Sequence, residues 1–257
     1  MEYHSITKPI GLHTPCKEIE NTCGQAYLYR KCGLRPKHLV LPLDSGSGRT
    51  TFLDYMTQMY KLYGILPFTS SRDEYMEVIL DASSPDQINK TFDIIDNAAD
   101  YSNEYSNIVG MDISDVALHP GETQTAVFLK RSKDLCKHAT VVFFIPSIPD
   151  KNEDKLLKQL CETIDNIKCL EVEPYSPNDL CTLIINNVAN RGIKIQKDSA
   201  FRGVLLDMIS ELGVSSIKDA IMKADILAGL AGTSLTIDEK SVTLLMKTPT
   251  LMQKGAL

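Results

Sequence analysis

A loop of small residues between an apolar run and a helical pattern is the part of this sequence best suited to chemistry. Residues 43–50 read Leu-Asp-Ser-Gly-Ser-Gly-Arg-Thr and follow the apolar run LVLPL. Backbone N–H groups converge on an anion where glycines allow a tight turn and a helix N-terminus follows. The stretch therefore predicts a phosphate-binding loop, and a strand-to-helix turn without a ligand is the alternative.

The loop matches only part of the P-loop pattern G-x-x-x-x-G-K-[ST]. Gly48 and Thr50 agree with the pattern, whereas Leu43 stands at the first glycine position and Arg49 at the lysine position. Arginine is a planar fork and lysine is a compact point charge, so Arg49 cannot simply duplicate a buried lysine. The phosphates would then be held mainly by backbone N–H groups, and Thr50 remains able to ligate Mg²⁺.

Composition limits the class of protein. The chain has 257 residues, 43% of them apolar, which is enough for one large domain or for a domain and a smaller one. No apolar run is long enough for a membrane span, and the N-terminus has no secretory pattern. Seven cysteines, an odd number, favour free thiols in a reducing cytoplasm. The net charge of −6 argues against wide contact with nucleic acid, without excluding a local basic patch.

The order of elements predicts an α/β domain followed by helices. Apolar runs near residues 39, 75, 106, 139 and 167 read as strands, and helical patterns lie between them. The run VVFFI suits a strand that is buried on both faces, next to LVLPL. We expect an N-terminal extension over 1–37, an α/β nucleotide-binding domain over 38–192 and a small helical domain over 193–257. The buried face of the helical domain is expected to include Leu205, Ile209, Ile217, Ile221 and Leu227.

This organisation resembles that of the AAA+ ATPases. In that family the phosphate loop commonly runs Gly-Pro-Pro-Gly-Thr-Gly-Lys-Thr, and Gly46, Ser47, Gly48 and Thr50 of LDSGSGRTT fall in register with it. The resemblance extends from about residue 38 to residue 247. It implies an α/β fold with a parallel five-stranded P-loop NTPase sheet and a C-terminal helical lid domain.

The resemblance also implies the ligands, which are ATP or ADP with Mg²⁺. The fourth strand of the family ends in a polar residue, and Ser147 is similar in position, although an ordinary strand-end serine is an equal alternative. The predicted nucleotide-binding residues are Ser45, Gly46, Ser47, Gly48, Arg49, Thr50, Thr51 and Ser147.

The second motif of the family is four apolar residues followed by Asp-Glu, where the aspartate acts on the metal shell and the glutamate orients water. Here the segment NIVGMDISD supplies Asp112, but Ile113 follows it. The resemblance therefore implies that Thr50 and Asp112 form the Mg²⁺ shell. It leaves Asp115 as the remaining acidic candidate for a catalytic role beside Asp112.

Weak or absent hydrolysis is expected, because the glutamate is missing and no arginine stands in the segment where the family often carries one. The predicted function is an AAA+-like ATP- or ADP-binding protein in the cytoplasm that acts as an assembly or loader-type factor, with itself or another protein as partner. The alternative is a catalytically inactive AAA+-like scaffold or structural subunit of a larger complex.

Overall fold

A parallel sheet of five strands organises the first part of the chain. In the computed structural model the strands are β1 (His38–Pro42), β2 (Tyr75–Ile79), β3 (Asn107–Asp112), β4 (Ala139–Ile145) and β5 (Ile167–Cys169). Their order is β2-β3-β4-β1-β5, and every neighbouring pair is parallel. The predicted five-stranded parallel α/β sheet, with VVFFI beside LVLPL, is confirmed.

Helices connect these strands. The structure describes residues 6–66, 75–98, 107–118, 121–146, 151–195, 199–231 and 235–247. The chain divides into two units, and the first ends at Val172. Among the described residues the first unit contains α1 (His13–Gly24), α2 (Ala26–Cys32), α3 (Arg49–Leu62), α4 (Pro85–Ala98), α5 (Ser114–Leu118), α6 (Glu122–Leu135) and α7 (Lys151–Thr163). None of the helices described is long and apolar enough to cross a membrane.

Strand β4 lies at the middle of the sheet, and all seven of its residues are buried. Residues buried on both faces explain why this segment reads as a continuous apolar run. On one face, the Phe143 ring meets the Phe128 ring of α6 edge-on, with the ring centroids 6.4 Å apart. Strands β1 and β4 are in register from Leu39 opposite Val142 to Pro42 opposite Ile145.

Residues after Val172 form a second unit with a core of its own. It contains α8 (Pro177–Asn190), α9 (Ser199–Glu211), α10 (Ile217–Ala231) and α11 (Glu239–Lys247). Two short strands, β6 (Lys194–Ile195) and β7 (Thr236–Ile237), pair in parallel, although the sequence had predicted only helices there. Helix α8 begins with a capping box between Ser176 and Asp179.

The division between the units falls earlier than the predicted boundary at Gly192. Leu180, Ile184 and Val188 of α8 are buried in the same core as α9 and α10, so α8 is part of the second unit. At the other end, α1 belongs to the first unit, since Cys16, Ile19 and Cys23 are buried.

The buried face of the helical unit is partly different from the predicted one. Leu205, Ile209, Ile217 and Leu227 are buried as expected, but Ile221 is 38% exposed. The buried stripe of α10 consists of Ile217, Ala220, Ala224, Leu227 and Ala231. The prediction was wrong for Ile221 because alanines, rather than the larger residue, face the core.

Gly110 of β3 lies where α3 packs closely on the sheet. A Cβ atom at this position would lie 2.5 Å from Leu53 Cδ1 and 3.0 Å from Phe144 Cε2. We expect Gly110→Ala to lower the free energy of unfolding of the first unit by about 1–3 kcal/mol, as overpacked cores do. Urea unfolding would measure the change. Gly24→Ala in α1 is the control, because a Cβ there meets no atom within 4 Å; an equal loss in both variants would contradict the packing argument.

His38 links β1 to β4 as a neutral imidazole. The Val141 N–H donates to His38 Nδ1 at 3.1 Å, and burial, together with the charge of Arg35, lowers the pKa of His38 from 6.5 to about 4. Between these values the unfolded chain binds a proton that the native chain excludes, so stability falls as the pH falls. A difference of this size corresponds to about 3 kcal/mol in total.

We therefore expect urea unfolding to show the first unit losing stability from about pH 6.5 to about pH 4, through His38 among other groups. His38→Asn keeps an acceptor for the Val141 N–H and should reduce this slope. His138→Asn, at an exposed position, is the control and should keep it. Identical slopes in all three proteins would show that His38 is not buried as a neutral group.

Candidate functional site

The loop after β1 has the backbone of a phosphate-binding turn. Gly46 and Gly48 have φ angles of 81° and 88°, which residues with a side chain rarely adopt. Helix α3 begins directly after the loop, and its N-cap residue Gly48 gives it no side-chain cap. A Cβ atom at Gly46 would meet no atom within 4 Å. The loop therefore combines an open side at Gly46 with an uncapped helix N-terminus, the arrangement that binds anions.

The side chain of Arg49 lies against the ends of the strands. Its Nε donates to the Leu43 carbonyl at 2.7 Å, and its guanidinium lies 5.0 Å from the centre of the Phe144 ring. A terminal nitrogen of the same group forms an ion pair with Oδ2 of Asp112. Only 6% of the Arg49 side chain is exposed. The residue at the lysine position is thus held by β3, by β4 and by the residue that follows β1.

Both carboxylate oxygens of Asp112 have partners. Oδ2 accepts from Arg49, and Oδ1 accepts from the backbone N–H and the hydroxyl of Ser114 at 3.0 and 2.6 Å. Burial acts to raise the pKa of Asp112, but the hydrogen bonds from Ser114 and Arg49 outweigh it, so the pKa lies below its ordinary value. Asp112 is therefore ionised at neutral pH and paired with a cation from its own chain.

Thr50 has a partner that the sequence pattern does not reveal. Its hydroxyl donates to Oε2 of Glu77 at 2.7 Å, and Glu77 is the middle residue of β2. The sequence signal for this contact was an acidic residue, Glu77, within a segment that reads as a strand. The contact could not be inferred from the pattern because Thr50 and Glu77 come from different elements.

The other residue predicted to be catalytic, Asp115, makes a different kind of contact. Asp115 in α5 accepts the Ala82 N–H at 2.7 Å and so holds the segment that follows β2. Ile113, which stands where the family has glutamate, is fully buried in the core, and its N–H donates to the Phe144 carbonyl at 3.0 Å. Ser147 lies outside the described residues. The structure thus brings together Arg49, Asp112 and the loop.

The arrangement suits a phosphate better than a magnesium ion. Magnesium requires near-octahedral oxygen ligands at about 2.0–2.1 Å. The oxygens predicted to serve it, on Thr50 and Asp112, are engaged with Glu77, Arg49 and Ser114. A guanidinium against Asp112 would also repel a second cation. The described contacts pair both side chains within the chain, and the metal role of Thr50 and Asp112 stays a prediction.

Comparison with known proteins gives matches among solved structures. A point mutant of Thermotoga maritima RuvB has a TM-score of 0.61 at 12% identity, over 96% of this chain and 73% of that one. The RuvB Holliday junction branch migration motor of the same organism has a TM-score of 0.59 at 13% identity, over 95% and 73%. PCH-2 of C. elegans has a TM-score of 0.57 at 12% identity, over 90% and 67%.

The chain has the fold of an AAA+ ATPase. At these identities the likeness concerns the fold alone. Neither a family model nor a curated protein sequence matches the chain. The AAA+ fold places the loop after β1 and the end of β3 at the same edge of the sheet, where Arg49 and Asp112 meet.

Breaking the ion pair below the loop should destabilise the first unit. Asp112→Asn would leave the Arg49 guanidinium buried without its charged partner, and losses on the order of 3 kcal/mol are typical of such pairs. Urea unfolding would measure the loss. The control is Asp134→Asn, since Asp134 pairs with Lys137 at the surface; exposed pairs contribute less than about 1 kcal/mol. Arg49→Met combined with Asp112→Leu should recover most of the loss, and equal losses in the two single variants would contradict the argument.

Proposed function

We propose that this chain is an AAA+-like protein that binds ATP or ADP at the loop 44–51, with weak or absent hydrolysis, and acts as an assembly or loader-type factor. The observation that carries the proposal is the position of Arg49. Its guanidinium contacts Leu43, Asp112 and Phe144, which leaves the open side of the loop to the backbone.

Binding in this proposal depends on the loop and on the start of α3. Phosphate would receive N–H groups from the turn and from the first turn of the helix, where the helix dipole also favours an anion. Ser45, Thr50 and Thr51 are exposed around the same turn. Because these contributions come mainly from the backbone, they do not require the lysine that the sequence lacks.

Three features support slow turnover. Ile113 is buried and apolar, Asp115 is engaged by the Ala82 N–H, and Asp112 is neutralised by Arg49. An attacking water would therefore lack the carboxylate that orients it in the family, and the transferred phosphoryl group would be stabilised less in the transition state. A role as a motor, which is how one RuvB structure is described, is the reading that these contacts support least.

The runner-up is a scaffold or structural subunit that binds no nucleotide. It is favoured by contacts among the polar groups of the site, since Arg49 pairs with Asp112 and the Thr50 hydroxyl donates to Glu77. Such contacts stabilise the loop without a ligand. Under this alternative the AAA+ fold would serve association with copies of itself or with another protein.

We expect the protein to bind ADP and ATP with an affinity that changes little when Mg²⁺ is replaced by EDTA, because the predicted metal ligands have partners within the chain. Isothermal titration in both buffers would measure the affinity, and phosphate release on the same sample would measure turnover. Binding that requires Mg²⁺, or brisk hydrolysis, would contradict the proposed arrangement. An absence of binding at millimolar nucleotide would leave the scaffold alternative.

A glycine pair provides the control for the place of binding. Gly46→Val should abolish binding, since the side chain would project into the open side of the loop. Gly33→Val imposes a similar backbone strain, because Gly33 has a φ of 62°, and it also meets no atom within 4 Å. Gly33→Val should keep the affinity. If both variants keep it, the nucleotide binds elsewhere.

A further inference from the structure

Two cysteines outside the candidate nucleotide site lie side by side. Cys161 is in the last turn of α7 and Cys169 is the last residue of β5, and their Sγ atoms are 3.5 Å apart. Both residues are exposed. Cys32 is the other exposed cysteine of the described residues, whereas Cys16, Cys23, Cys136 and Cys181 are buried. The pair is thus accessible to small reagents and already in contact.

We propose that Cys161 and Cys169 form a reversible modification site, in which they exchange with a low-molecular-weight disulfide such as oxidised glutathione and become an intramolecular disulfide. In the first step a protein thiolate attacks one sulfur of the reagent, and one glutathione leaves as thiolate. In the second step the other protein thiolate attacks the mixed disulfide, and the second glutathione leaves. The two protein thiols lose two protons and two electrons in total, and the reagent is reduced to two glutathione molecules.

The surrounding contacts keep the two sulfurs close. The Asn166 side-chain amide donates to the Arg35 and Pro36 carbonyls at 3.1 and 3.3 Å, and Lys168 pairs with Glu18 at 2.6 Å. The Leu170 N–H donates to the Val40 carbonyl at 2.9 Å. The connection between α7 and β5 is therefore fastened on both sides of Lys168. A disulfide of about 2.05 Å requires the sulfurs to approach by only a small further distance.

The two thiols are suited to different steps. Cys169 is exposed, but neighbouring atoms partly desolvate its thiol, and this, with the contact from Cys161, raises the pKa of Cys169 to about 11. Thiolate is the reactive form, so the raised pKa disfavours Cys169 as the first thiol to attack. Because the two sulfurs are already in contact, the second attack is intramolecular and is favoured by proximity.

The disulfide would tie the end of α7 to an edge strand of the sheet. It would join residues 161 and 169 across a short connection and would not require either element to move far. The site is independent of the nucleotide proposal, since neither cysteine contacts the loop 44–51 among the described contacts. Disulfide formation can therefore be measured separately from nucleotide binding.

The test uses the full chain with Cys32→Ser, which removes the remaining exposed thiol. The reduced protein is incubated with oxidised glutathione, free thiols are alkylated, and intact mass and peptide mapping follow. We expect one disulfide between Cys161 and Cys169 in a monomeric chain, with no lasting glutathione adduct, and full reversal by dithiothreitol. Adding Cys169→Ser should instead trap the glutathione adduct on Cys161.

Three outcomes would overturn the proposal. They are separate glutathione adducts on Cys161 and Cys169, a disulfide between two chains, and recovery of both thiols unreacted when the Cys32 thiol of the unmodified chain has reacted fully. The unmodified chain, mapped in the same way, decides the question even if a serine variant folds poorly. The Cys161→Ser variant serves as the matched control, because Cys169 alone should react more slowly than Cys161 alone.

Discussion

The ion pair between Arg49 and Asp112 is the contact on which the candidate site depends. A guanidinium taken out of water is costly unless carboxylate and carbonyl oxygens replace its hydration. Asp112, the Leu43 carbonyl and the Phe144 ring make that replacement here. The same contacts fix the first residue of α3 to β3, to β4 and to the residue that follows β1. They therefore set the shape of the loop and give the Asp112 carboxylate a cationic partner from its own chain.

The sheet must hold its strand ends within narrow limits for this pair to form. The register of β1 on β4 and of β4 on β3 places Asp112 opposite Phe144. Gly110 allows Leu53 of α3 to approach β3, so the helix lies low on the sheet. A residue with a side chain at position 110 would lift the helix that carries Arg49. The ion pair between Arg49 and Asp112 therefore depends on how closely α3 packs on the sheet.

Much of the fold was predictable, because its signals are local. Continuous apolar runs predicted β1 and β4, and these two strands were expected to be neighbours, as they are. The partner of Arg49 was not predictable, since Asp112 is 63 residues away and the pattern suggested a contact with phosphate. Membership of α8 in the second unit was missed for a related reason. Periodicity shows which face of a helix is apolar, and not which other helices cover it.

The separate cores of the two units have a consequence for cooperativity. The apolar cluster around β4 and the cluster around α8, α9 and α10 have no member in common. The segment from Leu170 to Tyr175, between β5 and the cap of α8, has no regular secondary structure. Two-state unfolding is a property of a chain whose contacts are lost together. Heat or denaturant can therefore melt this chain in two transitions, and a single midpoint would average two different free energies.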